Sequence, residues 1–325
     1  MEKIYLDYQF IIDEVDDRKN WKLSNIDDNK YQIVYSPAHI EEIVRGKKCN
    51  KLKGNIFLYT NYVSNLTKDR QLIRTDASTA KILEKPFGEN GIFLVEENPR
   101  YCCQRVLKYL DKNEIAEEGQ KQILEDGNRK FEQFNQKNRQ KKVVGIQKLS
   151  ILDIFNRDDD VFNEFLTKIV YSYILKNIVS ENLNKFNLDN NLYMELLCKS
   201  FFSDININNR IEKERNRFEK IFRDKDNIFK EISSEHHLVE NIIDNLMKTL
   251  MSCGFYLEAE RKATSNLHDT THCIYAAYSD FFITRDKKLK YKVEAIYKYL
   301  GVKTQVIFVD SSDNEDILVD RFGKP

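Results

Sequence analysis

The sequence predicts an α/β fold, a central and mostly parallel sheet interrupted by a large all-helical insertion. Three observations predict it. Short apolar runs rich in β-branched and aromatic residues stand near both ends of the chain, in "KIYLDYQFII", "YQIVY", "DFFIT" and "KTQVIFV". Strand and helix alternate around the late runs, as they do in parallel sheets. From about residue 100 to 260 helical periodicity dominates, with little Gly or Pro to break it.

Taken in order, the first run is a buried strand ending near Asp7, after which the chain turns into a short helix. The polar "VDDRKNWKLSNIDDNKY" reads as a short helix and loop. Tyr31 to Tyr35 is the second strand. Ser36 then takes an N-cap position and Pro37 the first turn of a helix that stops near Gly46. "GIFLV", residues 91–95, reads as a third strand. Helical segments follow, among them "CQRVLKYLDKNEIAEEGQKQILEDG", "DVFNEFLTKIVYSYILKNIV", "LYMELLCKSFF", "RIEKERNRFEKIFRD" and "HHLVENIIDNLMKTLMSCGF". They share no fixed period, which argues against a solenoid. The end returns to α/β: a helix opening at Asp269, the strand "DFFIT", an amphipathic helix stopped by Gly301, and the strand "KTQVIFV". The α/β core is thus assigned to residues 1–95 and 255–325, and the helical insertion to 96–254.

Composition narrows the function classes. The chain has 325 residues, of which 41% are hydrophobic, enough for a large core. Its 52 basic and 52 acidic residues cancel, which argues against global electrostatic capture of nucleic acid and leaves a local basic patch open. The six cysteines form no CxxC pair, and no signal-peptide pattern or membrane-spanning run is present. A soluble, cytoplasmic protein is expected.

The carboxylates carry the chemistry. A helix from Asp269 to Ser279 covers ~15 Å. The extended return from Asp280 to Asp286 covers ~20 Å. Asp269 and Asp286 therefore meet at one sheet edge, the carboxyl end of the strands, where open α/β sheets bind ligands. Asp7 follows the first strand and reaches the same edge, and Glu41 and Glu42 lie on the helix after the second strand. Asp280 falls at the opposite edge and reads as a turn residue. Such a cluster raises its own pKa values unless a cation neutralises it. A hard divalent ion with oxygen ligands, Mg²⁺ or Mn²⁺, is the natural partner, and it supports phosphodiester hydrolysis.

The order and spacing of "IYLDYQ", "SPAHIEEIVRG", "HDTTHCIYAAYSD" and "FFITRD" resemble the PIN-like nuclease superfamily. The resemblance covers about residues 1–60 and 262–310. It implies a PIN-like three-layer fold and a metal held by Asp7, Glu42, Asp269 and Asp286, with the "E-I-x-x-G" continuation favouring Glu42 over Glu41. Gln9 departs from the family's pattern, where Asn is common, and so does the long helical insertion. The implied activity is that of a metal-dependent endonuclease acting on RNA rather than DNA, with a toxin or antiviral defence role, a regulatory protein or antitoxin, and a homo-oligomer as open options.

Other residues take supporting roles. His39 and His272 each share a helix face with a carboxylate, Glu42 and Asp269 respectively. His272 is a candidate catalytic group and His39 a candidate for touching the scissile phosphate; either can equally be a packed imidazole. Thr284, Arg285 and Lys287 are candidate substrate-binding residues, and Thr284 reads equally as an ordinary strand residue. The run 128–142 carries six basic residues against one acidic, with Phe131 and Phe134 placed to stack on bases. His268, four residues before His272, invites a zinc site but lacks partner spacing. The rivals are a non-catalytic module that binds nucleic acid or protein, a metal-dependent DNA nuclease, and a phosphatase, the last weakened by the absence of a DxD pattern.

Overall fold

The computed structural model describes residues 1–48, 52–74, 80–85, 87–88, 90–110, 150–157, 159–186, 205–224, 226–252, 255–256, 263–310 and 312–324. Strand β1 (Glu2–Leu6) leads into helix α1 (Tyr8–Val15), whose first turn is capped by the Asp7 carboxylate on the Gln9 amide. Strand β2 (Tyr31–Val34) leads into α2 (Pro37–Lys48) and α3 (Ile56–Thr67). Pro37 opens α2 as expected, but Gly46 does not end it. A side chain at Gly46 would stand 3.1 Å from the Tyr8 hydroxyl and 3.2 Å from Leu52, so this glycine makes room for Tyr8 inside a continuing helix.

Three strands follow: β3 (Arg70–Arg74), β4 (Lys81–Glu84) and β5 (Ile92–Glu96). They form an antiparallel sheet of order β3-β5-β4. The run at 91–95 is therefore a strand, but it belongs to this second sheet rather than to the parallel one. The two sheets meet where Tyr35 exchanges backbone hydrogen bonds with Arg70 and Leu72.

Nine helices and two strands complete the described order: α4 (Pro99–Leu110), α5 (Ile151–Arg157), α6 (Asp159–Phe186), α7 (Ile205–Asp224), α8 (Ile228–Ile232), α9 (His236–Ser252), α10 (Ala263–Ala276), β6 (Phe281–Thr284), α11 (Lys287–Leu300), β7 (Gln305–Phe308) and a last short helix α12 (Ile317–Phe322). Gly301 ends α11 in the left-handed region at φ 73°, as its place after an amphipathic run predicts.

The main sheet has the order β2-β1-β6-β7 with every pair parallel. The register sets Ile4 beside Ile33 on one side and Phe281 on the other. Strand alternation then divides the side chains between two faces. Tyr5, Val34 and Phe282 face one core, which continues without a break into Phe162, Phe165, Ile169, Phe218 and Leu246 of the helical region. Ile4, Leu6, Ile33 and Ile283 face the other, against Phe10, Trp21, Leu318 and Phe322. The sheet is thus covered on both sides, as parallel sheets require. Truncating Phe282 to Ala would cost about 3–5 kcal/mol in such a core. Helix α4 lies against α2 and α3 through Cys102, Cys103 and Val106. Among the described residues no helix is long and apolar enough to cross a membrane.

Candidate active site

The strand order reverses direction at β1. From there the chain proceeds to β2 on one side and, much later, to β6 on the other. The crevice beyond the carboxyl ends of β1 and β6 is therefore the topological switch point, the expected ligand position in an open α/β sheet. Asp7 occupies it. Its backbone amide extends the ladder with a 2.8 Å bond to the Ile283 carbonyl, and its carboxylate accepts the Thr284 hydroxyl at 2.7 Å. Thr284 in turn accepts the Asp286 amide at 3.0 Å. Asp286 caps α11, accepting from the Lys288 and Leu289 amides. One buried hydroxyl thus ties Asp7 to Asp286. Thr284 is fully buried, so it orients Asp7 and does not touch a substrate.

Helices α2 and α10 run antiparallel over this edge, linked by two polar rungs. His272 Nε2 donates to Glu42 Oε2 at 2.8 Å, and one turn along, Arg45 donates to His268 Nε2 at 2.6 Å. The second rung gives His268 an arginine partner instead of a zinc ion. Asp269 lies between these two histidines in sequence, midway along α10 and not at its start. The helix begins six residues earlier, at Ala263, so the expected N-cap role of Asp269 does not hold. The residues before Asp269 carry no breaker, and the helix extends back through them. Asp280 is where expected, at the opposite end of β6, accepting the Lys3 amide at 2.6 Å.

Electrostatics bring the predicted carboxylates together. Burial on its own would lower the His272 pKa. The adjacent Glu42 carboxylate overrides that, with Asp7 and Asp269 adding to it, and the imidazole stands above its usual value. Three of the four predicted ligands thus act on one buried ring. The fourth, Asp286, joins them through Thr284 and Asp7.

His39 does not meet a substrate. It is buried, its Nδ1 accepts the Ser36 amide at 3.1 Å, and its Nε2 donates to the Leu6 carbonyl at 2.8 Å. This is the return arm of a capping box, with His in the place of Glu or Gln. Burial pushes its pKa down to about 3, and the neighbouring His272 lowers it further toward that value. Both nitrogens are used by the neutral ring, which fixes the proton on Nε2.

Arg285 is also diverted from its expected role. It pairs with the buried Asp13, which also accepts from Trp21 Nε1 at 3.2 Å and Gln9 Nε2 at 2.9 Å. Gln9, where the resembled family carries Asn, therefore braces α1 through Asp13. Lys287 is exposed at the first position of α11. The basic run 128–142 lies outside the described residues.

Sequence reasoning missed Tyr5. Its hydroxyl stands 2.8 Å from His272 Nδ1 and 2.7 Å from Ser36 Oγ, completing a buried chain from Glu42 through His272, Tyr5 and Ser36 to His39. A signal existed. Tyr5 lies two residues before Asp7 on a strand, so alternation puts both on one face.

The donor chemistry suits a hard divalent cation. Among the described residues, however, no three His, Cys, Asp or Glu side chains form a group that could hold a metal ion. No family model, no curated protein and no solved structure matches the chain.

Proposed function

We propose that this chain is a divalent-metal-dependent endonuclease of PIN-like type, with RNA as the favoured substrate and Asp7, Glu42, Asp269 and Asp286 as the residues that would hold the ion. The observation that supports the reading is geometric: Glu42 accepts from the buried His272 at 2.8 Å, and Asp7 is held by Thr284 at 2.7 Å, at the switch point of a parallel sheet. A bound Mg²⁺ or Mn²⁺ would supply an acidified water and charge neutralisation at the phosphodiester. The protein's own groups then have separable tasks. Thr284 fixes the direction of Asp7. His272 holds Glu42 through Nε2 while Tyr5 fixes the ring through Nδ1. His272 is in this reading a positioning residue, since it is buried behind Glu42.

The test is incubation of the purified chain with labelled RNA and DNA, with Mg²⁺, Mn²⁺ or chelator. Cleavage that needs the ion and disappears in Asp7→Asn and Asp269→Asn is expected. No cleavage under any condition, or equal cleavage by Asp269→Asn, overturns the reading. A second reading, a non-catalytic module that binds nucleic acid, is favoured by the lack of a ready three-donor group among the described residues. Binding without cleavage in the same assay would select it.

A further inference from the structure

Helices α3 and α4 present a surface that neither the carboxylate site nor the core uses. Residues 43–68 contain six basic side chains and no acidic one, and residues 98–110 contain three and none; of these nine, Arg45 belongs to the carboxylate site through His268, Arg105 pairs with Glu97 and Lys68 with Asp28. In a chain whose charges cancel overall, these two segments are segregated, and the fold packs them together. Lys47 and Lys53 bond the carbonyls of Gly54 and Asp16 at 2.9 and 2.6 Å. A carbonyl accepts the hydrogen bond without neutralising the charge.

The same surface leaves rings in solvent. Phe57 is 63% exposed, Tyr101 62% and Leu58 50%. Arg100 joins the two helices. Its guanidinium lies over the Phe57 ring at 5.7 Å, and its Nε donates to Asn61 at 2.9 Å. Spacing of four residues sets Phe57, Asn61 and Asn65 in one stripe on α3 and Arg100, Gln104 and Lys108 in another on α4. Both stripes are exposed at every position. Their chemistry is rings, amides and cations, with no carboxylate.

We infer that the α3–α4 surface is a binding platform for single-stranded nucleic acid, in which Phe57 and Tyr101 stack on bases and Arg100 and Lys108 take backbone phosphates. Rings with free faces stack on any unpaired base, and flanking cations track the backbone. Amides add hydrogen bonds to base edges. A duplex hides its base faces, which is why a single strand is the better fit. A protein partner would use the rings but would gain nothing from two stripes without acidic residues unless it were itself acidic. The inference deepens the nuclease reading and rests on it for the choice of nucleic acid over other polyanions.

The test measures binding in chelator, where the proposed cleavage is silent. The probe is a fluorescein-labelled single-stranded RNA of about 20 nucleotides and mixed sequence, read by anisotropy with the full chain. Phe57→Leu and Tyr101→Leu should each weaken binding about tenfold, while Phe57→Trp keeps it, because stacking needs a ring and not mere apolarity. Lys108→Gln should reduce the salt slope by about 0.7. Circular dichroism and thermal melting confirm that these exposed-site variants fold. The proposal is overturned if the wild-type chain does not bind the RNA, if Phe57→Leu binds as tightly as wild type, or if the substitutions change only self-association in sedimentation. Binding that behaves as expected beside a chain that never cleaves would retain the platform and remove the nuclease.

Discussion

The rings of His39 and His272 meet edge to face with centroids 4.9 Å apart, yet their protonation is pushed in opposite directions. His39 is held neutral by burial, whereas the carboxylates around His272, Glu42 foremost, outweigh its burial and raise its pKa. The two shifts give stability a pH dependence of both signs. His272 contributes stability that is complete below an unfolded value of about 6.5 and is lost as pH rises through its raised folded value. His39 contributes stability present above about 6.5 and lost as pH falls toward 3. In metal-free buffer, Glu42→Gln should abolish the part of the alkaline-side loss that His272 carries and leave the acid-side loss. Urea unfolding between about pH 5 and 9 reads this, and an unchanged alkaline slope would contradict the pairing. Long-range nitrogen NMR should also find His39 with its proton on Nε2 at pH 6.

Thr284 is predicted to matter through its hydroxyl. Thr284→Val leaves the Asp286 amide without its acceptor and Asp7 without its donor, a loss of about 1–3 kcal/mol. Thr284→Ser keeps both bonds and should lose distinctly less. Equal destabilisation of the two variants in chemical denaturation would refute the role.

Arg285 and Lys287 should separate cleanly. Arg285→Met strands the buried Asp13 carboxylate and is expected to lower stability by on the order of 3–5 kcal/mol, with partial recovery in the Asp13→Asn double variant. Lys287→Ala should change stability by no more than about 0.5 kcal/mol. If Arg285→Met unfolds no more easily than Lys287→Ala, the ion pair is not structural.

Cys102 and Cys273 should be inert in the native state. Burial pushes the Cys102 thiol up to about 12 and raises Cys273 as well, so neither supplies thiolate at pH 8. Iodoacetamide labelling followed by peptide mass mapping should modify them only at the rate of unfolding. Rapid native labelling of either would show that the packing around α4 or α10 opens locally.

Much of the frame was legible in sequence. The strands ending at Asp7 and Thr284, the helix that opens on Pro37 and the stop at Gly301 all carry local signals, and the parallel sheet follows from their alternation. Asp280 could be set aside by distance alone. The start of α10 was not legible, because His268-Asp269-Thr270 mimics a cap and only packing shows the helix running through it. Strands β3 and β4 were missed because "RQLIR" and "KILE" are short and charged at their ends, without a clear period. The burial of His39 and the pairing of Arg285 with Asp13 depend on partners far away in sequence, which no local pattern encodes. The same is true of the link from Tyr5 to His272.

The position of β1 in the middle of its sheet has a consequence for how the chain is made. Tyr5 and Phe282 are register partners, and the ladder's edge bond from the Asp280 amide to the Lys3 carbonyl spans 277 residues. A ribosome adding about 5–20 residues per second needs roughly 15 to 55 seconds to deliver the second partner after the first. Throughout that interval the central strand has a neighbour on one side only. The emerging chain therefore carries an unpaired apolar edge through that interval, and a chaperone that shields extended segments is expected to raise its yield.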